Sequence, residues 1–325
     1  MSIFATGRPK GKLTNVVPVF LTINNAYAPY AAAAIHSLER TSNKSRYYQV
    51  IILHDGLTID NRVRLRSLAT KNVAIQFRKI TNSLYLKAVI KYCAREKGAG
   101  DFFSSAVYYY RFFIPRLFPV FEKAVYIDSD TVLLSDVGEL FDMKLGEDEV
   151  IAAMPDPKVT AIPEFRDYVD NAVGVPHAEY VNDGVMLMDL KKMRKMRYLT
   201  TMVGMIEKYN ADLVAPDQDY ANVILRGKIA HLDTVWNAEP CVNLPKDTKL
   251  VHFNLFNKPW HYQNVPCEDL FWKAARGTGF YGDLKRQQAA FDVEKQEAER
   301  AKVAALIEKA GRIAKEGKVL MKIVK

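Results

Sequence analysis

The chain is predicted to be an α/β protein built on a mainly parallel central sheet, and three observations support this. Short β-branched apolar runs alternate with helically patterned segments through residues 16–77, the arrangement that gives a parallel sheet covered on both faces. An acidic triplet, Asp128-Ser129-Asp130, closes a further apolar run, at the strand end where open α/β sheets collect their ligands. No Ser/Gly-rich linker, low-complexity tract or internal repeat divides the chain.

Residues 16–23, VVPVFLTI, form the first strand, and Asn24-Asn25 ends it before an alanine-rich helix that runs through Leu38. Residues 48–53 form a second buried strand closed by His54-Asp55-Gly56, residues 59–68 have helical spacing, and residues 73–77 form a third strand. The aromatic segment 104–118 is predicted as a helix ending near Pro115, its rings packing the core and Arg111 standing apart from them. Residues 124–127 are another buried strand, 180–190 a strand and turn, and 200–209 and 218–225 helices.

The catalytic domain is expected to span residues 16–282, between a basic segment 1–15 and a helical appendage 283–325. In the appendage Val303, Leu306, Ala310, Ile313, Gly317, Leu320 and Val324 recur at three- and four-residue steps among Lys and Arg, which makes a basic amphipathic helix. Three readings of it compete: docking on its own domain, pairing with a partner helix, and lying in an anionic membrane interface.

The formal charge of +9 sits at the ends, with +3 in residues 1–15 and +6 in residues 300–325, so the body is neutral. A nucleic-acid face needs cations clustered across it, so nucleic acid is excluded as a partner and an anionic surface met by one end is favoured. Cys93, Cys241 and Cys267 lack CxxC or zinc spacing, so neither a disulfide framework nor a structural zinc is expected. The N-terminus has no apolar signal region and no apolar stretch is long enough to span a bilayer. The expected location is cytoplasmic, with peripheral attachment to the cytoplasmic face of a membrane if the basic helix meets lipid.

Two aspartates at i and i+2 past a strand end can aim carboxylates at a divalent cation, which neutralises the charge on a departing diphosphate. Alone, Asp128-Ser129-Asp130 fits a solvated turn equally well. The apolar strand before it and Thr131-Val132-Leu133-Leu134 after it change the balance, because placing acids between buried runs is costly. His252 is a candidate third ligand, since neutral imidazole binds divalent transition metals, although a lone histidine is more often structural. Lys258, six residues on, can pair with a phosphate.

Taken together, Asp128-Ser129-Asp130, residues 182–190 (NDGVMLMDL), Asp217-Gln218-Asp219 and the stretch from His252 through Lys258-Pro259-Trp260 resemble glycosyltransferase family 8. That family includes bacterial lipopolysaccharide α-galactosyltransferases and α-glucosyltransferases and, more distantly, glycogenin. The resemblance covers about residues 16–262. It implies a GT-A nucleotide-sugar-binding fold, a UDP-sugar donor, Mn²⁺ or Mg²⁺, and transfer with retention of anomeric configuration. It further implies that Asp128, Asp130 and His252 hold the metal, with Ser129 beside the donor and Lys258 on the diphosphate. Asn24 and Tyr27 would hold uracil, Tyr27 by stacking. Arg111, Asp156, Asn182, Asp217 and Gln218 would line the donor sugar, the Gln218 carbonyl facing the anomeric carbon.

The chain departs from the family pattern at four positions. Asn24 stands where an acid is common, Ala26 where a polar residue is, Asp183 where Ala or Ser is usual beside the sugar, and Leu255 where a glycine-like residue would let backbone approach phosphate. Gln218 is a poor nucleophile, so front-face transfer is favoured over a covalent intermediate, with Asp217 orienting sugar hydroxyls. Galactose or glucose is the favoured hexose and a saccharide or lipid-linked hydroxyl the acceptor, met by variable segments 154–175 and beyond Trp260. Two rival functions fit parts of the chain. Asp128 to Val132 also matches the DxDx[TV] pattern of haloacid-dehalogenase-like phosphohydrolases, though three β-α units precede it and no downstream acidic pair is evident. The other rival is a catalytically silent nucleotide-sugar-binding scaffold.

Overall fold

The computed structural model describes residues 16–81, 83–94, 105–317 and 320. The basic segment 1–15, Ser104 and Val324 lie outside the described residues. The strands are β1 (Val16–Ile23), β2 (Tyr47–His54), β3 (Val73–Lys79), β4 (Lys123–Ile127), β5 (Thr131–Leu133), β6 (Ile151–Pro155), β7 (Val181–Asp189), β8 (Ile229–His231) and β9 (Leu250–His252). Seven of them form one sheet in the order β3-β2-β1-β4-β7-β6-β8. β1 to β4 pair in parallel, as do β6 and β8, while β7 runs antiparallel between β4 and β6. β5 and β9 form a separate antiparallel pair.

The apolar runs of β1 and β4 become central strands because both faces of each are covered. Val17, Val19, Leu21 and Ile23 of β1 enter one apolar cluster and Phe20 the other; Val125 and Ile127 of β4 divide from Ala124 and Tyr126 in the same way. This is the period-two alternation of a strand with a core on each side. On one face lies the helix Ala28–Thr41, whose Ala31, Ala32, Ala33 and Ala34 are fully buried. Such small side chains let its backbone lie close to the sheet, and its Ser37 hydroxyl accepts the Leu133 N–H of β5 at 2.9 Å.

The aromatic segment differs from the expected α-helix. Ala106–Phe113 is a 3-10 helix, followed by one α-turn over Ile114–Leu117. Side chains three apart are eclipsed in a 3-10 helix, so Ser105, Tyr108 and Arg111 all face one cleft while the other rings fill the core. Residues 154–175, expected as a variable loop, contain the short helices Pro157–Ala161 and Pro163–Tyr168 and a π-turn over Val169–Val173.

The C-terminal segment forms the helix Val293–Glu316. Asp292 caps its start by accepting from the Lys295 N–H at 3.0 Å. Leu306, Ala310 and Ile313 are buried in the same apolar cluster as Phe165, Tyr168 and Val169. The helix is therefore docked on its own domain, and the apolar stripe that an interfacial membrane helix would insert is already covered. Gly317, read as part of that stripe, instead ends the helix at φ +64°, the left-handed cap that glycine adopts without strain. Among the described residues no helix is long and apolar enough to cross a membrane, and the three cysteines are free.

Because Ile313 is 4% exposed within the main core, Ile313→Ala is expected to lower the unfolding free energy by about 2–4 kcal/mol. Chemical denaturation followed by tryptophan fluorescence checks this; a loosely attached helix would leave the main transition unmoved.

Candidate active site

β1 and β4 are parallel neighbours, so the residues that follow them, Asn24 and Asp128, emerge on one sheet edge. The Asn24 side chain accepts the Tyr27 N–H at 3.1 Å and caps the short turn Asn25–Tyr27. Tyr27 packs edge-on against Tyr30 at 5.2 Å, and Tyr30 stacks on Trp260 at 4.3 Å. The tryptophan of Lys258-Pro259-Trp260 thus supports, through Tyr30, the ring predicted to stack on a base.

The acidic triplet is held from several directions. Asp128 N–H donates to the Gly184 carbonyl at 2.7 Å, and Phe253 N–H donates to the Asp130 carbonyl at 2.9 Å. Pairing of Thr131 with His252 across β5 and β9 brings the imidazole beside the acids. His252 Nε2 lies 3.1 Å from Asp130 Oδ1 and 3.8 Å from Asp128 Oδ2. Tyr126 donates to Asp128 Oδ1 at 2.7 Å, and Arg111 Nη2 reaches the same oxygen at 3.1 Å. Lys258 Nζ donates to Asp130 Oδ2 and to the Phe253 carbonyl, both at 2.9 Å. Burial acts to raise the Asp130 carboxyl, but Lys258 above all opposes it, and the group is held well below the usual carboxylate range.

These donors fit a divalent cation. Ligand atoms of Asp128, Asp130 and His252 lie within 4.8 Å of one another. An amide chain sets the histidine tautomer. Gly184 N–H donates to Asn182 Oδ1 at 3.0 Å, so Asn237 presents its amide nitrogen to that oxygen at 2.9 Å and its own oxygen to His252 Nδ1 at 2.9 Å. Neutral His252 then carries its proton on Nδ1 and aims the Nε2 lone pair at two carboxylates. That arrangement is repulsive unless a cation or a second imidazole proton sits among them, and a divalent ion meets all three groups at once.

Elsewhere in the cleft, Gln218 is fixed at both ends of its amide. Its nitrogen donates to Asp156 Oδ2 at 2.9 Å, and its oxygen accepts from Asn182 Nδ2 at 3.1 Å and Asp183 N–H at 3.4 Å. Asp156 also caps the helix Pro157–Ala161 through the Lys158 N–H at 2.9 Å. Arg111 Nη1 donates to the Asp183 carbonyl at 2.7 Å and pairs with its carboxylate, while Nη2 lies 3.5 Å from Asp217 Oδ2. Burial pushes the Asp183 and Asp217 carboxyls up despite Arg111, and the buried Asp183 Oδ2 has no hydrogen-bond partner among the described residues. One guanidinium does not balance the carboxylates around it.

Every residue predicted for the site except His252 lines this one cleft, Ser129 and Asp183 included, and His252 touches its acids. Leu255, at the position where a glycine-like residue was expected, lies at φ +61°, a left-handed conformation that glycine adopts without strain. Tyr126 and Asn237 were missed because nothing in an apolar strand or an isolated Asn marks the partner that tertiary structure supplies. Asp219, quoted only as part of a motif, is fully buried and accepts from the Tyr168 and Tyr180 hydroxyls, each at 2.7 Å, and from Ala215 N–H at 3.1 Å.

Two outcomes follow. Burial raises the Asp219 carboxyl from 3.8 to about 7 against its hydrogen bonds. The folded state therefore holds that proton more tightly than the unfolded chain, and its stabilising contribution is complete below the unfolded value and lost as pH rises through 7. Asp219→Asn is expected to flatten the decline in melting temperature between about pH 4 and 7, checked by thermal denaturation across that range. A Cβ at Gly184 would lie 2.5 Å from His252 Cε1 and 2.7 Å from Asp128 Oδ2, so Gly184→Ala is expected to reduce turnover by about 10²-fold or more, checked by steady-state assay beside a circular dichroism control.

Comparison with known proteins agrees with this geometry. The chain matches the family described as Glycosyl transferase family 8 over residues 18–264. It is 25% identical over 257 residues to General stress protein A of Bacillus subtilis (strain 168), covering 72% of this chain and 84% of that protein. It is 24% identical over 195 residues to lipopolysaccharide 1,2-glucosyltransferase of Escherichia coli (strain K12), covering 52% of this chain and 56% of that one. Its fold is similar to that of the galactosyltransferase LgtC solved with donor and acceptor sugar analogs, at TM-score 0.66 and 20% identity over 81% of this chain and 96% of that chain. It is also similar to the WbbM bifunctional glycosyltransferase, at TM-score 0.70 and 23% identity over 87% of this chain and 54% of WbbM, so it spans about half of that protein. The sheet is the GT-A type of these enzymes, and the chain belongs to glycosyl transferase family 8 and is a glycosyltransferase.

Proposed function

We propose that this glycosyltransferase moves a hexose, galactose or glucose, from a UDP-sugar to a hydroxyl of a saccharide or lipid-linked acceptor, with retention at the anomeric carbon. The observation that carries the reading is the meeting, in one cleft, of Asp128, Asp130, His252 and Lys258 with the Gln218–Asp156–Asn182 network. Asn24 and Tyr27 stand at the nucleoside end, with Tyr27 offering a ring to uracil. Mn²⁺ or Mg²⁺ held by Asp128, Asp130 and His252 would supply charge neutralisation for the diphosphate. Lys258 adds a fixed cation there, and burial, which alone would discharge it, is overcome by Asp130.

Front-face transfer suits the Gln218 geometry. In it the bond from the anomeric carbon to the β-phosphate oxygen breaks, the acceptor oxygen bonds on the same face, and the acceptor's proton passes to the departing phosphate oxygen. The Gln218 oxygen already accepts two N–H groups, which lowers its capacity to form a covalent adduct while leaving a dipole beside developing positive charge. Asp217 and Asp156 would orient sugar hydroxyls. The phosphohydrolase reading needs Asp128 free to attack phosphorus, whereas its Oδ1 is bonded to Tyr126 and Arg111. The lipopolysaccharide glucosyltransferase relative favours a glycan acceptor.

A donor screen with UDP-glucose, UDP-galactose, UDP-N-acetylglucosamine and UDP-glucuronate in Mn²⁺, scored by UDP release, tests the reading. Turnover is expected with UDP-galactose or UDP-glucose, and Asp130→Ala is expected to lower it by about 10²-fold or more. Phosphate release from p-nitrophenyl phosphate without UDP release from any donor would overturn it.

A further inference from the structure

The helix Val293–Glu316 reaches two of the loops that furnish the cleft. Near its start, Glu299 Oε2 lies 2.7 Å from His261 Nδ1, and Glu299 Oε1 accepts the Tyr262 hydroxyl at 3.3 Å. The His261 ring stacks at 4.0 Å on Phe291, just ahead of the helix. His261 and Tyr262 in turn donate their backbone N–H groups to the Lys258 carbonyl, each at 2.9 Å. Gln288, in the preceding helix Tyr281–Ala289, fixes the same loop by donating to the Pro259 and Tyr262 carbonyls at 2.7 and 2.9 Å.

About 15 Å further along the helix, at 1.5 Å per residue, Lys309 Nζ donates to the Leu213 carbonyl at 2.7 Å and pairs with Asp212 at 2.6 Å. Arg312 pairs with Asp212 at 3.0 Å. Asp212 and Leu213 lead into the helix Pro216–Ile224, which carries Asp217 and Gln218 in its first turn. This approach has no regular secondary structure, and side chains hold it: the Tyr92 hydroxyl donates to the Ala211 carbonyl at 2.7 Å and the Tyr168 oxygen accepts Val214 N–H at 3.0 Å. Between the two latches, Leu306 forms part of the cleft wall.

We propose that the C-terminal helix is a positioning element of the active site: through Glu299 at one end and Lys309 with Arg312 at the other, it fixes the loop bearing Lys258 relative to the loop delivering Asp217 and Gln218. The kinetic part of this inference rests on the glycosyl-transfer reading. Glu299, Lys309 and Arg312 are not among the residues lining the cleft; they act through loops whose displacement by about 1 Å costs up to roughly 10²-fold in rate. Cations that the sequence pattern assigned to an anionic surface are in part turned inward, the Lys309 side chain being 19% exposed.

The test uses the full chain. Lys309→Ala/Arg312→Ala releases Asp212 and Leu213, and its kcat is expected to fall about tenfold with donor KM held within about twofold, because Lys258 is untouched. Glu299→Ala is expected to act in the other sense, raising donor KM about threefold or more. Lys309→Arg is expected to retain activity, and Lys302→Ala, at an exposed position on the same helix, to match wild type. Hydrogen exchange of amides 211–219 reads the clamp without substrate and is expected to quicken about tenfold in the double variant. Wild-type values of both kcat and exchange in the double variant would overturn the inference. If wild type transfers no sugar from any donor, the functional reading fails and the exchange measurement alone decides this one.

Discussion

The structure is organised around a concentration of buried and half-buried carboxylates that its own cations do not balance. Asp128, Asp130, Asp156, Asp183 and Asp217 converge at one sheet edge with Arg111 and Lys258. In a medium of low effective dielectric, charges at this density persist only when each has a hydrogen-bonding partner or its proton returns. Both responses are present. Tyr126, Arg111 and Lys258 serve the first two acids, while burial drives Asp183 and Asp217 upward. The remaining negative potential, with an imidazole lone pair aimed into it, complements a divalent cation and the nucleotide diphosphate such a cation would accompany.

The fold supplies this edge from four separate places in the chain. Parallel β1 and β4 deliver Asn24 and Asp128. The antiparallel β7 carries Asn182 through Gly184 to the same edge because it enters the sheet there, and the β5–β9 pair sets His252 against Asp130. Gly184 is the point of closest approach, where a methyl group would collide with both a candidate ligand and the histidine. The C-terminal helix closes the arrangement from outside the sheet, sharing the core of one face and contributing Leu306 to the cleft.

Much of this was legible in the sequence, for identifiable reasons. β1, β2 and β4 announce themselves because strands covered on both faces are continuously apolar and β-branched. Arg111 stood out as a guanidinium inside an aromatic run, and the spacing of Leu306, Ala310 and Ile313 gave the helix that carries them. The antiparallel sense of β7 was not legible, since burial on both faces erases the directional cue, and neither were the three-residue strands β8 and β9. Tyr126 read as one more apolar strand residue, yet its hydroxyl bridges Thr22 and Asp128. Asn237 acquires its meaning only from His252 and Asn182, which lie far from it in sequence. Amphipathicity revealed that the C-terminal helix had a face to bury but not what would cover it; the domain's own core does.

The carboxylate cluster is built to answer to a divalent cation. Calorimetric titration of Mn²⁺ into the metal-free protein, with and without UDP, measures this most directly. Saturable binding that UDP tightens and that His252→Ala removes is expected. UDP binding of equal strength in excess chelator, with no heat from Mn²⁺, would contradict it.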